Sequence, residues 1–212
     1  MKEKYHTKRY QQSDLLDKDY IKRIDLISRI TKQLPCLPIT SFEYYGDKLF
    51  YKQKFIEQKV LPNDIDSLIS VLEELGEYLE ELNSNGFVHG DINSKNLIYN
   101  GEKLVVCDLE PSLWQIRNSK RQLMYTPPFI SREDFDNNAL TYKTDKIGFY
   151  HYVEEVLNSE RGTIDHLLSL GWQNSYRHGF IEEWTNRLPI PESNLTNMNY
   201  REILMLILEK RE

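Results

Sequence analysis

Three polar residues, Asp91, Asn96 and Asp108, have the types and the spacing that could carry out chemistry. Asp91 and Asn96 lie within the segment 89–97, and Asp108 follows twelve residues after Asn96, directly behind an apolar run. Two carboxylates and an amide oxygen are hard oxygen ligands, which suit Mg²⁺ together with substrate phosphates. A carboxylate that binds no metal could accept the proton of a hydroxyl group. The pattern predicts phosphoryl transfer, which needs positioning, charge neutralisation and a base.

A β-hairpin is expected to bring these residues together. The letters LIY-NG-EKLVV at 97–106 predict two short strands, and Asn100-Gly101 between them is typical of a type I′ turn. A strong helix precedes the hairpin, because apolar residues recur at spacings of three and four from Ile65 to Leu82. We expect Asn63 as its N-cap, with Asp66 three residues on, and Asn85-Gly86 as its end.

The flanking segments are less uniform. Residues 1–13 are polar and have no assignment; a helix is predicted over 14–33, and a hairpin over 39–57 with its turn at Gly46-Asp47. Residues 111–140, which include Pro127-Pro128, are expected to form a loop. Helical patterns then return, and they predict helices over 144–158, 163–170, 178–188 and 200–210.

Composition narrows the class of protein. The chain has 212 residues, of which 40% are hydrophobic, so it can form a core. Its formal net charge of −6 makes nucleic-acid binding unlikely, since phosphates repel an acidic chain. No apolar run is long enough to cross a membrane, and the first residues lack the apolar stretch of a signal peptide. With only Cys36 and Cys107, no disulfide framework is expected, which favours a cytoplasmic location.

The segment HGDINSKN followed by VVCDLE resembles the catalytic loop and the metal-binding motif of the protein-kinase-like superfamily. Three further segments resemble parts of the same superfamily, in the same order along the chain. KFIE at 54–57 resembles the interlobe hinge. The segment 125–133 resembles the end of an activation segment, and the segment 144–149 resembles the start of the next buried helix. The resemblance implies an α+β, two-lobed fold with a truncated β-rich N-lobe at 1–58 and a mostly helical C-lobe at 59–212. Within the C-lobe it implies a catalytic loop at 89–97 and an activation-like segment at 108–133.

The resemblance also implies roles for single residues. Asp91 is expected to be the catalytic base, and Asn96 and Asp108 the Mg²⁺ ligands. His89 is expected to pack beneath the metal loop, and Asp145 to brace the catalytic loop. The residues expected at the ATP site are Lys8, Glu57 in the hinge, Ile98 beneath the adenine, and Cys107. A purely structural reading of Asp91 as a turn cap and Asp108 as a strand end remains the alternative.

The chain departs from the family pattern at its N-terminus. It has no glycine-rich phosphate loop, since the first glycine is Gly46, so the first two strands of a typical N-lobe are expected to be missing or reduced. Lys4 or Lys8 could bind the phosphates, with Asp25 or Asp19 as the partner carboxylate. Solvated surface charges are the alternative for all four.

The catalytic motifs depart from the pattern as well. Asn93 stands where Ser/Thr kinases usually have a lysine, a variant that resembles the small Bud32/RIO-like kinases and the aminoglycoside and choline kinases. Glu110 replaces the glycine of the metal-binding motif and is a candidate second metal contact. Gly90 replaces the arginine that pairs with an activation-loop phosphate, which favours constitutive activity over phosphorylation of Ser119, Tyr125 or Thr126.

Three functions follow from the resemblance. The first is a minimal ATP- and Mg²⁺-dependent Ser/Thr kinase that phosphorylates a protein, itself included. The second is a small-molecule kinase acting on a sugar, alcohol or aminoglycoside. The third is a pseudokinase or ATP-binding subunit of a larger complex, in which a partner completes the N-lobe. ATP and a protein substrate or partner subunit are therefore the expected ligands.

Overall fold

The computed structural model describes most of the chain. The described residues are 4–11, 18–34, 36–38, 40–45, 48–109, 114–117, 120–123, 129–137, 139–158, 188 and 190–210. They form three small β-sheets and a set of α-helices. This mixed architecture agrees with the α+β part of the predicted fold class.

The N-terminal sheet has three antiparallel strands: β1 (Tyr5–Gln11), β2 (Thr40–Tyr45) and β3 (Lys48–Lys54), in the order β1-β3-β2. Strand β3 lies in the centre and alternates between buried and half-buried side chains. The predicted hairpin at 39–57 is therefore confirmed, although its turn at Gly46-Asp47 lies outside the described residues. Strand β1 was missed, because its mostly exposed polar side chains give no apolar alternation.

Helix α1 spans Lys18–Ile30 and contacts β2. Ile24, Ile27 and Ile30 recur at every third position and are buried, so one face of the helix joins the core. The predicted helix at 14–33 is confirmed over this range, with a turn at 31–33 and residues 14–17 outside the described part.

Helix α2 spans Ile65–Ser84 and is the long helix that the apolar stripe predicts. Its N-cap is Asp64, whose carboxylate accepts a hydrogen bond from the Ser67 N–H at 2.8 Å. The prediction of Asn63 as the cap was wrong by one residue, because both residue types can cap a helix and only the geometry separates them. The helix ends at Asn85, and Gly86 follows with a φ of +78°.

The next hairpin joins β4 (Leu97–Tyr99) and β5 (Leu104–Val106), with Leu97 opposite Val106. It is the predicted hairpin, but the predicted type I′ turn is wrong, because the loop has four residues and only Gly101 has a positive φ. The Asn100 side-chain oxygen accepts hydrogen bonds from the N–H groups of Glu102 and Lys103. This side chain closes the loop in a local turn of the kind that asparagine favours.

Three parts of the segment 111–140 form regular secondary structure that its composition does not predict. Strands β6 (Trp114–Arg117) and β7 (Lys120–Leu123) pair antiparallel, and helix α3 spans Arg132–Asn137. The prediction of a loop was therefore wrong for these ranges. Their short lengths explain the miss, since four to six residues carry little periodicity.

The remaining helices are α4 (Tyr142–Asn158), α5 (Glu192–Asn197) and α6 (Tyr200–Glu209). Helices α4 and α6 match the predicted helices at 144–158 and 200–210, whereas α5 was not predicted. The predicted helix at 163–170 lies outside the described residues, and so does the predicted helix at 178–188 except for residue 188. None of the described helices is long and apolar enough to cross a membrane.

One core holds the helices and the β4–β5 hairpin together. Helix α6 packs on both α2 and α4, and α2 also contacts β5. The largest fully buried side chains of this core are Phe87, Phe149 and Tyr200. This core supports the segment 87–97, where the predicted chemistry lies.

Candidate active site

The loop before the β4–β5 hairpin is held from below by Asp145, near the start of α4. The Asp145 carboxylate accepts hydrogen bonds from the His89 N–H at 2.9 Å and from the Gly90 N–H at 2.7 Å. Asn83, at the end of α2, donates a third at 2.9 Å. Gly90 has a φ of +82°, which glycine adopts without strain. Asp145 thus braces the loop, as the resemblance implies.

The surroundings of Asp145 are dry and tightly packed. The side chain is buried, and burial raises the pKa of its carboxyl group, whereas the three N–H donors favour the charged form. On the same helix, Gly148 lies against the loop, since a Cβ at this position would come within 2.7 Å of the Ile92 carbonyl oxygen. The helix therefore approaches the loop as closely as two backbones can.

Two amide side chains hold the Asp91 carboxylate. Asn93 donates to Asp91 Oδ1 at 2.8 Å, and Asn96 donates to Asp91 Oδ2 at 2.9 Å. Asn96 also donates to the Asp91 carbonyl at 2.8 Å. Because both Asn96 bonds use its nitrogen, its amide oxygen is the atom that could bind a metal. The half-buried Asp91 carboxylate has a fixed orientation, which a general base requires.

His89 links the two halves of the site. Its Nε2 atom lies 2.8 Å from the Cys107 carbonyl oxygen, and its Nδ1 atom accepts the Asp91 N–H at 3.2 Å. A carbonyl oxygen can only accept, so Nε2 carries the hydrogen. The buried ring therefore joins the loop to the residue that precedes Asp108, in agreement with the packing role expected for it.

Asp108 lies where the hairpin meets the N-terminal sheet. Its backbone is left-handed, with a φ of +62°, and among the described non-glycine residues it is the one with a positive φ. Its carboxylate forms an ion pair with Lys8 of β1, and both side chains are partly exposed. Its N–H donates to the Gln53 side chain at 3.3 Å. The Cys107 N–H donates to the Asn96 carbonyl at 2.8 Å, so Asn96 lies beside the Cys107–Asp108 step.

The other predicted ATP-site residues differ in burial. Glu57 is exposed, and its ion pair with Lys59 at 2.8 Å lowers the pKa of the glutamate. Ile98 is half-buried on β4. Cys107 is buried, and this burial raises the pKa of its thiol to about 12. Glu57 lies in the segment after β3, Ile98 on β4 and Cys107 directly after β5.

The candidates left open by the sequence now have positions. The Lys8 side chain contacts Asp108. Lys4 is exposed, and its backbone carbonyl accepts a hydrogen bond from the Phe55 N–H at 2.9 Å. Asp25 is exposed on α1. The Asp19 side chain and Glu110 lie outside the described residues, as do the candidate phosphorylation sites Ser119, Tyr125 and Thr126.

The donor set fits a magnesium ion that shares its ligands with phosphates. Within the described ranges, no group of three or more His, Cys, Asp or Glu side chains could hold a metal ion. Asn96 and Asp108 instead offer one amide oxygen and one carboxylate at neighbouring positions. Mg²⁺ commonly binds one or two protein carboxylates and completes its shell with water and phosphate oxygens. A sparse protein ligand set is therefore suitable.

Sequence reasoning missed two residues of this site. Asn83 connects Asp145 to α6, because its side-chain nitrogen donates to Asp145 and its side-chain oxygen accepts from the Tyr200 hydroxyl at 2.7 Å. Gln53 contacts the Asp108 backbone from β3. No local spacing marks either residue, since their partners lie 55 or more positions away in the chain.

A second polar network supports the segment after β7. The Glu133 side chain pairs with Lys143, and the buried Asp134 carboxylate accepts from the hydroxyl groups of Thr141 and Thr144. The Thr144 oxygen in turn accepts the Ser131 N–H at 3.2 Å. Residues 131–134 are therefore tied to the start of α4, close to Asp145.

Comparison with known proteins shows a relationship in structure. No protein-family model matches the chain, and no curated protein sequence matches it. The fold is similar to the solved structure of the Cydia pomonella granulovirus kinase PK-1, with 17% sequence identity and a TM-score of 0.53. The match covers 74% of this chain and 61% of the viral kinase, so it spans less than two thirds of that protein. The likeness identifies a protein-kinase-like fold.

Proposed function

We propose that this protein is an ATP- and Mg²⁺-dependent phosphotransferase. The observation that carries the proposal is the contact between Lys8 and Asp108 beside the Asp91–Asn96 pair. A cation, two metal-binding oxygens and an oriented carboxylate are the parts that phosphoryl transfer requires. The protein-kinase-like fold supports the same activity.

The proposal assigns a role to each residue of the site. Asp91 accepts the proton of the acceptor hydroxyl, and Asn93 and Asn96 hold its carboxylate in the required direction. Asn96 and Asp108 would hold Mg²⁺, which supplies charge neutralisation on the phosphates when bound. Lys8 adds a positive charge beside Asp108, where the glycine-rich loop of typical kinases is missing. Ile98 and Cys107 form apolar surface for the adenine.

We further propose a Ser/Thr protein kinase of the Bud32/RIO-like type, with residues 1–58 as the reduced N-lobe and 59–212 as the C-lobe. The segment 129–131 supports a protein substrate, because Phe129, Ile130 and Ser131 are buried and tied to α4. Such anchoring suits a platform that must hold a substrate chain. Phosphorylation of the protein itself would use the same site.

A small-molecule kinase is the second candidate, and Asn93 favours it. Protein kinases usually place a lysine there to contact the transferred phosphate, whereas here Asn93 is buried and binds the Asp91 carboxylate. Lys95, two residues on, is exposed and donates only its backbone N–H to the Asn93 side chain in the described contacts. An acceptor that carries its own positive charge would need no such lysine.

The test is phosphate transfer from γ-labelled ATP with Mg²⁺, to a generic protein and to a panel of sugars, choline and aminoglycosides. We expect Asp91→Asn and Asp108→Asn to lower transfer at least about a hundredfold. Lys8→Met should weaken it as well, whereas the control Lys32→Met, exposed in the turn after α1, should leave it unchanged. The labelled product decides between the protein and small-molecule candidates. Label transfer that survives both aspartate substitutions would refute the assigned roles, and binding of Mg²⁺–ATP without transfer would identify a pseudokinase.

A further inference from the structure

The peptide unit between Cys107 and Asp108 is held at both of its ends. Its carbonyl oxygen lies 2.8 Å from His89 Nε2, on the catalytic-loop side. Its N–H donates to Gln53 Oε1 at 3.3 Å, on the side of the N-terminal sheet. A peptide unit is planar, so these two hydrogen bonds together fix the plane from which the Asp108 side chain departs.

Gln53 reaches this peptide because of its place on β3. The alternation of the strand directs Tyr51 and Gln53 to the same, buried face, although glutamine is seldom buried. The Tyr51 hydroxyl donates to Gln53 Oε1 at 3.0 Å, and the Asp108 N–H donates to the same oxygen. The buried amide oxygen thus accepts two hydrogen bonds.

The left-handed backbone at Asp108 needs such support. A non-glycine residue in this conformation costs about 1 kcal/mol or more relative to ordinary backbone, and it persists when its surroundings determine it. Rotation of the Cys107–Asp108 plane would break the bonds to Gln53 and His89 together. Lys8 of the neighbouring strand meanwhile pairs with the Asp108 carboxylate. The N-terminal sheet therefore contacts both the backbone and the side chain of this residue.

We infer that Gln53 is a positioning residue, which holds the Asp108 peptide in the orientation that directs the carboxylate toward the metal and phosphate site. This inference rests on the proposed function for its metal, but the hydrogen bond itself can be tested without activity. Gln53 acts through the backbone of Asp108 and touches no substrate. The sheet thereby controls the metal ligand through a second route besides the Lys8 cation.

The test compares Gln53→Met, which keeps the length of the side chain and removes the acceptor, with Tyr51→Phe, which removes a different bond to the same oxygen. Amide hydrogen exchange measured by NMR reports on Asp108 directly. The Val106 N–H, which donates to the Cys36 carbonyl at 2.9 Å, serves as an internal control. In Gln53→Met we expect exchange at Asp108 to rise about tenfold relative to exchange at Val106, and the unfolding midpoint to fall slightly because the buried Tyr51 hydroxyl loses its acceptor as well. In Tyr51→Phe the Asp108 amide should keep its protection.

The metal requirement gives the second readout. In Gln53→Met the Mg²⁺ concentration for half-maximal transfer should rise about tenfold, as expected when a partner of a metal ligand is removed. Unchanged exchange at Asp108 in the folded variant would overturn the inference, and so would an unchanged Mg²⁺ requirement in an active variant. If the wild type neither binds Mg²⁺–ATP nor transfers phosphate, the proposed function fails, and the exchange measurement still decides the role of Gln53.

Discussion

Replacement of Asp145 by asparagine tests whether a single buried carboxylate organises the site. Oδ2 accepts from the His89 N–H and from Asn83, and Oδ1 accepts from the Gly90 N–H. An asparagine has only one oxygen, so its NH₂ group must face at least one of these donors. The change keeps the volume of the side chain and removes one acceptor and one negative charge.

The magnitude follows from the hydrogen bonds that are lost. At least one buried N–H loses a charged acceptor and meets another donor, which costs about 3 kcal/mol. Removal of a buried charge returns part of its desolvation cost, since burial raises the pKa of Asp145. We therefore expect the free energy of unfolding to fall by about 2–3 kcal/mol. A small domain of ordinary stability would remain folded after this loss.

The assay is urea unfolding followed by tryptophan fluorescence, with phosphate transfer measured on the same preparation. Tyr200→Phe is the matched control, because it removes the neutral bond to Asn83 and leaves the loop contacts intact. The control should lose about 1 kcal/mol and keep its activity, whereas Asp145→Asn should lose activity while folded. An Asp145→Asn protein with the stability and activity of the wild type would refute the bracing role.

Three further predictions concern burial. Burial lowers the pKa of His151 to about 4, so between pH 6.5 and 4 the unfolded state binds a proton that the folded state does not. Over this pH range the wild type should lose on the order of 3 kcal/mol more stability than His151→Leu. Urea unfolding at several pH values measures this difference. Burial raises the pKa of the Cys36 and Cys107 thiols to about 12. Both thiols should therefore resist alkylation by iodoacetamide at pH 8 until urea unfolds the protein. Rapid labelling of the native protein would contradict their burial. Gly148→Ala should lower the free energy of unfolding by about 1–3 kcal/mol and reduce phosphate transfer, because the Cβ of the alanine would meet the Ile92 carbonyl oxygen. A variant with wild-type thermal unfolding and phosphate transfer would exclude this close approach.

The helices α1, α2, α4 and α6 and the β4–β5 hairpin could be predicted because their apolar residues are periodic over enough positions. The juxtaposition of Asp91 and Asn96 could also be expected, since both lie in one short loop. Strand β1 could not, because its pairing with β3 involves residues that are far away in the sequence and polar on the exposed face. The same pairing places Lys8 opposite Tyr51, and only this register distinguishes Lys8 from Lys4.

Local chemistry also left alternatives that only geometry resolves. Asn63 and Asp64 are both competent caps, and the helix begins after the second. Asn100-Gly101 is the preferred pair for a two-residue turn, yet the Asn100 side chain stabilises a four-residue loop instead. Gln53 illustrates the general limit, because its role depends on a contact 55 residues away and not on any motif.

The bonds from Tyr200 to Asn83 and from Asn83 to Asp145 have a consequence for folding. They join positions 117 and 62 residues apart, so the catalytic loop gains its brace only after two long loops have closed. Long-range contacts form slowly, because the chain loses entropy before it gains the contact. We therefore expect helix α2 to form early from local contacts and the segment 89–97 to become ordered late. Catalytic competence should therefore appear at the end of refolding, after most of the helical signal has returned.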